Sequence, residues 1–284
     1  MKRLVVIYCL MLMAIIFTAC APPPALVKLQ PPDYAPKFNV VSGKLSKDLG
    51  IKGALLAPQG EIKILTVPQP QMGMGLFSMI QPATSKTQMK SESQRFPSQM
   101  NSNLLKSIEA IALQKGYNVV SAYDSIEVMA YEDKKKIDLL IIPEIQLQEE
   151  GNIVPAVETP KSMSMVTIQK GKINYTGQYK VTGQLIFQII EPLTREKLFI
   201  KSVPYSTNPV DIDVIVEFDK PDQIAPASSI AYQAQQTAIT NARNQALENA
   251  YEKLIELVKT YLPGEEEAVN LAKQAKELKT IKRY

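Results

Sequence analysis

Two hydrophobic periodicities recur along the chain and predict a mixture of helices and strands. Apolar residues at every third or fourth position from Phe96 to Ala112 predict a helix, with Pro97 in its first turn and Gly116 after its end. Alternation of apolar and polar residues through 179–190 predicts a strand with one buried face and one wetter face. Helix and strand signals therefore both occur within the first two hundred residues.

The remaining signals complete this pattern. Strands are predicted at 62–67, 117–122, 137–147, 197–203 and 212–218, and further helices at 125–136, 229–262 and 265–281. Leu139 to Ile142 is continuously apolar, which is typical of a strand that is covered on both sides. This order predicts an α/β domain with a mixed sheet of about five strands, helices packed on it and a long C-terminal helix.

The long helix has small residues in its first half. Alanines recur there at helical spacing, at positions 231, 234, 238 and 242. Small side chains let another backbone approach closely. The alanines therefore fit two uses, packing within the domain or a symmetric dimer contact through residues 230–250.

The N-terminus has the order of features found in export signals. Two basic residues precede an apolar run from Leu4 to Phe17, and small residues lead to Cys20. The run is shorter than the roughly 20 residues that a membrane-spanning helix needs, and Pro22 to Pro24 cannot continue a helix. The pattern predicts a lipoprotein signal over 1–19. The alternative is an ordinary signal peptide with a free thiol nearby.

Lipidation would explain the cysteine content. Cys9 lies in the segment that would be removed, so the mature chain would keep only Cys20, which cannot form an intramolecular disulfide. Palmitate-type acyl chains on Cys20 would anchor the protein to a membrane by its end. Ala21 is not the aspartate that retains some lipoproteins in the inner membrane, so we expect the outer membrane.

Composition suggests two segments in the mature chain. Residues 20–60 are rich in Pro, Lys and Gly and are predicted to be a lipidated tether. Residues 61–284 are predicted to form one α/β domain, with a polar insertion at 71–95 and C-terminal helices over 229–281.

The chain has no histidine, which excludes Ser-His-Asp and Cys-His catalysis and removes the commonest zinc ligand. Glu149 with Glu150, or Asp211 with Asp213, could be drawn as acid–base pairs, but exposed acidic pairs are usually solvated surface. We therefore expect no enzymatic activity, no cofactor and no metal. The net charge is +4 and falls to about +2 without the two cations of the leader, so no nucleic-acid partner is expected.

The segment 160–180 is the best candidate for ligand binding. Four lysines surround hydroxyl and amide side chains there, at positions 161, 170, 172 and 180. Such groups can bind an anionic sugar through charge-assisted and neutral hydrogen bonds. The alternative is a polar loop that leads into the hairpin.

Three stretches carry a resemblance to a known family. They are Leu113-Gln114-Lys115-Gly116-Tyr117-Asn118-Val119-Val120-Ser121, Ile190-Glu191-Pro192-Leu193 and Ala275-Lys276-Glu277-Leu278-Lys279. Together with the Cys20 signal, this ordered set resembles the neuraminyllactose-binding haemagglutinin family, lipidated adhesins of the flagellar sheath and outer membrane of gastric bacteria. The likeness extends from about residue 61 onward.

The resemblance implies a ligand and a location. The family's proposed sialic-acid motif, Lys-Arg-Thr-Ile-Gln-Lys, is matched here in its last four residues, while Met165 and Val166 replace its two leading cations. It implies a sialylated-glycan site formed by Thr167, Ile168, Gln169, Lys170 and Lys172. It also implies a surface adhesin with a role in host attachment and virulence. The alternative is a non-adhesive structural or assembly lipoprotein of the envelope or flagellar sheath, with protein partners or a homodimer.

Overall fold

The computed structural model describes residues 35–44, 47–66, 90–158, 171–218 and 230–281. Its eight strands are β1 (Ile51–Leu56), β2 (Gln59–Thr66), β3 (Lys90–Arg95), β4 (Tyr117–Tyr123), β5 (Leu139–Glu158), β6 (Gly171–Ile190), β7 (Lys197–Ser206) and β8 (Val210–Phe218). Its four helices are α1 (Ser98–Gln114), α2 (Tyr131–Lys136), α3 (Ile230–Tyr261) and α4 (Glu265–Ile281).

These strands form one mixed sheet that is five strands wide. β5 lies in the middle, and β6 pairs antiparallel with it along one edge. β1 and β2 pair parallel with successive stretches of the other edge of β5, and β4 and β3 lie outside them. β7 and β8 share the outer edge of β6 in the same way. The predicted α/β fold with a mixed sheet is confirmed, and three of its five positions each hold two short strands.

β5 and β6 are long enough to extend past the wide part of the sheet. The last pair of β2 with β5 is Lys63 with Gln148, but β5 continues to Glu158 beside β6. β8 pairs with the same stretch of β6, from Gly171 to Tyr179. The three strands form an arm, defined here as residues 149–158, 171–181 and 210–218.

Helices cover one face of the sheet and create the main core. α1 buries the side chains that its periodicity predicted, among them Met100, Leu104 and Ile108. It ends at Gly116, whose φ of 91° is a left-handed conformation that glycine adopts without strain. α3 packs on β6, β8 and α1, and its alanines at 238, 242, 246 and 250 are buried. These four alanines of α3 thus pack inside the domain.

The folded domain begins before residue 61, so the boundary predicted for the tether is wrong. Residues 35–44 have no regular secondary structure, but they lie against α1 and α3. The side chain of Asn103 donates to the carbonyl of Phe38 at 2.7 Å, and the amide of Val41 donates to Ser107 Oγ at 3.0 Å. The ring of Phe38 packs against Tyr251, with ring centroids 5.4 Å apart.

β1 also falls inside the predicted tether. Ile51 and Leu55 are buried in the core, and β1 lies between β4 and β5. The six residues of this strand are surrounded by Pro, Lys and Gly, so the average composition of 20–60 concealed them. β3 similarly occupies the end of the insertion predicted over 71–95, while residues 71–89 lie outside the described residues.

Two other elements differ in length from the predictions. The helix predicted over 125–136 is helical only at 131–136, and Met129 from the preceding turn is buried under the sheet. The strand predicted over 137–147 extends to residue 158. Residues 171–180, considered above as part of a polar loop, belong to β6 because β5 and β8 pair with them on both sides.

Candidate functional site

Of the predicted glycan-binding residues, only Lys172 belongs to the part of the chain that the structure describes. Thr167, Ile168, Gln169 and Lys170 are outside the described residues, as is the predicted lipidation site Cys20. Lys172 is the second residue of β6, and its Cα is paired with those of Glu158 in β5 and Glu217 in β8. Residues 159–170 therefore connect two strands whose ends are paired at the tip of the arm.

The two acidic pairs considered for catalysis lie in different surroundings. Glu149 and Glu150 are successive residues of one strand, so they lie on opposite faces of the sheet. Glu149 is fully buried, whereas the side chain of Glu150 is 40% exposed. Asp211 and Asp213 are both exposed on the edge strand β8, and Asp211 accepts a hydrogen bond from Gln178 at 3.0 Å.

Glu149 forms a buried ion pair under α3. Its Oε1 lies 3.0 Å from Nε of Arg243, and the same nitrogen donates to the hydroxyl of Tyr179 at 3.3 Å. Burial, reinforced by the charge of Glu149, raises the pKa of Tyr179 far above its usual value. The group joins the first half of α3 to the base of the arm, so its role is structural.

The first stretch that carries the family resemblance contacts the junction of α3 and α4. Lys115 donates its ammonium to the carbonyl of Leu262, and the hydroxyl of Tyr117 donates to that of Pro263 at 3.0 Å. Burial lowers the pKa of Lys115 and raises that of Tyr117. These side chains satisfy carbonyls at the end of α3 that have no partner within the helix.

The other two stretches contact each other. Glu191 is fully buried in the turn between β6 and β7, where it accepts hydrogen bonds from the amides of Leu193 and Thr194. Lys279 of α4 lies 3.5 Å from the same carboxylate and donates to the carbonyls of Lys135 and Ile137. All three stretches thus make contacts that hold the helices on the sheet. The resemblance is carried by scaffold residues and not by a ligand site.

The side of the sheet opposite the main helices is polar, and we call it the polar face. Residues 124–137 cover one end of it, where Leu140 and Ile190 are buried. Beyond that end no described element covers the sheet. The side chains there come from β2, β3, β5, β6 and β7, and they include Gln59, Glu61, Lys63, Ser93, Arg95, Glu144, Gln146, Gln148, Thr182, Gln184, Gln188 and Ser202.

A groove of about 410 Å³ runs between β2 and β5 on the polar face. The side chains of Gln59, Glu61, Lys63, Glu144 and Gln146 line it. Gln146 Nε2 donates to Glu144 at 3.1 Å, and Ser93 from β3 donates to Glu61 at 2.5 Å. The groove combines two carboxylates, one ammonium and several amide groups in a place open to solvent.

Sequence reasoning identified the wetter face of β6 but missed the groove. The alternation of Thr182, Gln184 and Gln188 with apolar residues was the available signal. The groove itself depends on the pairing of Glu61 with Gln146, which are far apart in the chain. Periodicity within one strand cannot predict such a partner.

Two general properties of the described part of the chain bear on its environment. None of its helices combines the length and the hydrophobicity needed to cross a bilayer. Its Cys, Asp and Glu side chains form no group of three or more that could hold a metal ion.

No protein-family model matches the chain, and no curated protein matches it. Among solved structures, it is similar to a Helicobacter pylori protein described as a neuraminyllactose-binding hemagglutinin homolog, with 15% identity and a TM-score of 0.46 over 86% of this chain and 100% of that one. It is also similar to a Xanthomonas campestris protein of the DUF330 family, with 10% identity and a TM-score of 0.26 over 78% of this chain and 91% of that one. Both similarities are distant, and they assign no ligand or activity to this chain.

Proposed function

We propose that this protein is a lipid-anchored adhesin of the outer membrane or flagellar sheath that binds sialylated glycans and has no enzymatic activity. The lipid would be attached to Cys20. The glycan would bind to Thr167, Ile168, Gln169, Lys170 and Lys172, as the sequence resemblance implies.

The position of the N-terminal segment supports anchoring through a short connection. Residues from Ala35 onward lie against α1 and α3, so only the chain between Cys20 and Ala35 is left to connect the lipid to the domain. Fifteen extended residues reach about 50 Å at most. The domain would therefore stay close to the membrane surface that holds its lipid.

The observation that carries the binding half of the proposal is the pairing of Glu158 with Lys172 at the end of the three-stranded arm. Residues 159–170 connect these two strand ends in the sequence. Loops that join the ends of rigid strands are common binding sites because the strands position the loop.

Two observations support the absence of catalysis. The chain lacks histidine throughout its sequence. The fully buried carboxylates Glu149 and Glu191 each contact a cation, Arg243 and Lys279, in arrangements that join helices to strands. These charged groups therefore hold helices on the sheet.

Binding of 3′-sialyllactose to the purified acylated protein tests the proposal. We expect saturable binding that Lys170→Ala weakens at least tenfold, because the variant removes the last cation of the matched motif. Lys106→Ala is the matched control, since Lys106 is an exposed lysine of α1. Equal binding by both variants, or none by the unmodified protein, would contradict the glycan site.

Anchoring is tested separately. Mass spectrometry of the native protein should find acyl chains on Cys20, and protease treatment of intact cells should cleave an outward-facing domain. If the domain is protected and crosslinking in cells returns an envelope protein, the structural or assembly role replaces adhesion. A crosslinked homodimer through residues 230–250 would point the same way.

A further inference from the structure

The groove on the polar face lies at residues 144–147 of β5, whereas the predicted sialic-acid motif follows that strand's far end at Glu158, and the chemistry of the groove fits a different ligand. We propose that this groove binds a neutral, hydroxyl-rich saccharide. The inference rests on the proposed function in one respect, because it assumes that the protein contacts glycans.

The donors and acceptors of the groove suit sugar hydroxyls. A carboxylate can accept hydrogen bonds from two neighbouring hydroxyl groups, and Glu61 and Glu144 both line the groove. Gln59 and Gln146 each carry an amide that can donate and accept at once. A hydroxyl group needs a partner of each kind, and amide and carboxylate groups side by side provide both.

Charge argues for a neutral ligand. The groove contains two carboxylates and the single ammonium of Lys63. Arg95 of β3 is the Cα partner of Glu61 on the same face, so the charges in and beside the groove balance. A sialic-acid carboxylate would therefore find no net positive charge there, whereas a neutral sugar needs none.

The dimensions fit a small saccharide that binds weakly. A volume of about 410 Å³ lies within the range of ligand sites, which is roughly 300–1,000 Å³. The groove is open, and no aromatic side chain lines it to stack on a sugar ring. Amides continue from its wall across the sheet, because Gln146 is paired with Gln184 of β6. A longer glycan could thus extend over the polar face from the groove.

The test uses lactose as a neutral probe and the full-length mature chain. We expect NMR signals of glutamine side-chain amides to shift saturably with lactose in the millimolar range. Glu61→Gln combined with Glu144→Gln should weaken this binding at least tenfold, with unchanged thermal unfolding. Gln245→Ala, at an exposed glutamine of α3, is the matched control and should leave the binding unchanged.

The outcomes separate this inference from the sialic-acid loop. Lactose binding that persists in Lys170→Ala and is lost in the Glu61 and Glu144 double variant supports the groove, whatever sialyllactose does. Absence of saturable lactose binding overturns the groove even if sialyllactose binds. Lactose binding that the double variant leaves intact also overturns it, because the sugar then binds elsewhere.

Discussion

Glu149 and Glu150 are neighbours in β5, but they lie in opposite environments. Glu149 is fully buried beneath α3, where its carboxylate is 3.0 Å from Arg243. Glu150 lies on the polar face, where its carboxylate is 3.0 Å from Lys180 and 40% of the side chain is exposed. The two ion pairs have the same N–O distance, but Glu149 is paired with an arginine of α3 beneath the helices and Glu150 with a lysine of β6 on the open side of the sheet.

This difference shows that one sheet carries two kinds of surface, one constrained by packing and one open to solvent. On the covered side a change leaves a cavity or an unpaired charge, so the side chains are constrained by packing. On the polar face the same strands present side chains that water can solvate after a substitution. Side chains on the polar face, including those of the proposed groove, can therefore change at little cost to the fold.

Raising the pH well above 10 should unfold the protein, because it ionises tyrosines that are buried on the covered side of the sheet. Tyr117, Tyr179 and Tyr205 are buried there, and burial raises the pKa of each far above the usual value near 10. A raised folded-state pKa gives stability that is present below pH 10 and is lost as the pH rises further. Three such groups together remove about 4 kcal/mol per pH unit, against a total stability of about 5–15 kcal/mol. Tyrosinate absorbance and circular dichroism should change together.

A variant sharpens this prediction. Tyr205→Phe removes one titrating group whose buried hydroxyl has no hydrogen-bond partner within the described structure. We expect the alkaline midpoint to rise, with no loss of stability at neutral pH. Ionisation of every tyrosine of the protein below pH 11 without unfolding would contradict the burial of these three.

Arg243→Met should cost about 3 kcal/mol, because it leaves the carboxylate of Glu149 buried without its cation. The free energy of unfolding from urea titration measures this loss. Adding Glu149→Leu to the variant should recover most of it, since the double variant replaces the buried pair by apolar side chains. A loss below about 0.5 kcal/mol for Arg243→Met alone would place this pair with surface ion pairs.

Truncation to alanine at two neighbouring residues of β6 compares the stability contributions of the two faces. Leu185 is fully buried on the covered side, and Leu185→Ala should cost about 2–4 kcal/mol of unfolding free energy. Gln184 lies on the polar face, and Gln184→Ala should cost no more than about 0.5 kcal/mol. Urea titration of both variants checks the contrast, and equal losses would show that the polar face is also packed.

The elements with strong periodicity could be predicted from the sequence. The bounds of α1 and α3 fall within about two residues of the prediction, because each buries one continuous apolar stripe. The opposite positions of Glu149 and Glu150 also follow from the sequence, since side chains alternate along any strand. Their treatment as a possible acid–base pair overlooked that alternation.

The arrangement of the sheet could not be predicted in the same way. β1 and β2 share one edge of β5 because Ala57 and Pro58 interrupt the strand between them. The amide of Ala57 there donates to the carbonyl of Tyr123. Nothing in the periodicity of two short strands shows that they occupy the same position. The ion-pair partners of Glu149 and Glu191 could not be predicted either, since Arg243 and Lys279 lie on helices far along the chain.

The smallest effect on the unfolding free energy is expected at the exposed ion pair of Glu150 with Lys180. Hydrogen bonds from Lys180 and Thr182 lower the pKa of Glu150. A lowered folded-state pKa gives stability that is present above the unfolded value near 4.5 and is lost as the pH falls through the folded value. Because the pair is exposed, Lys180→Ala should cost less than about 0.5 kcal/mol at pH 7, and this cost should disappear once Glu150 is protonated.

Urea titrations of Lys180→Ala at neutral and acidic pH measure both parts of this prediction, with Lys106→Ala as the control for a lost surface charge. High salt should reduce the cost further, since exposed charges are screened. A loss near that of Arg243→Met would mean that the two sides of the sheet are equally constrained. The freedom proposed for the polar face, and with it the groove as a place where ligands could change, would then lose its physical basis.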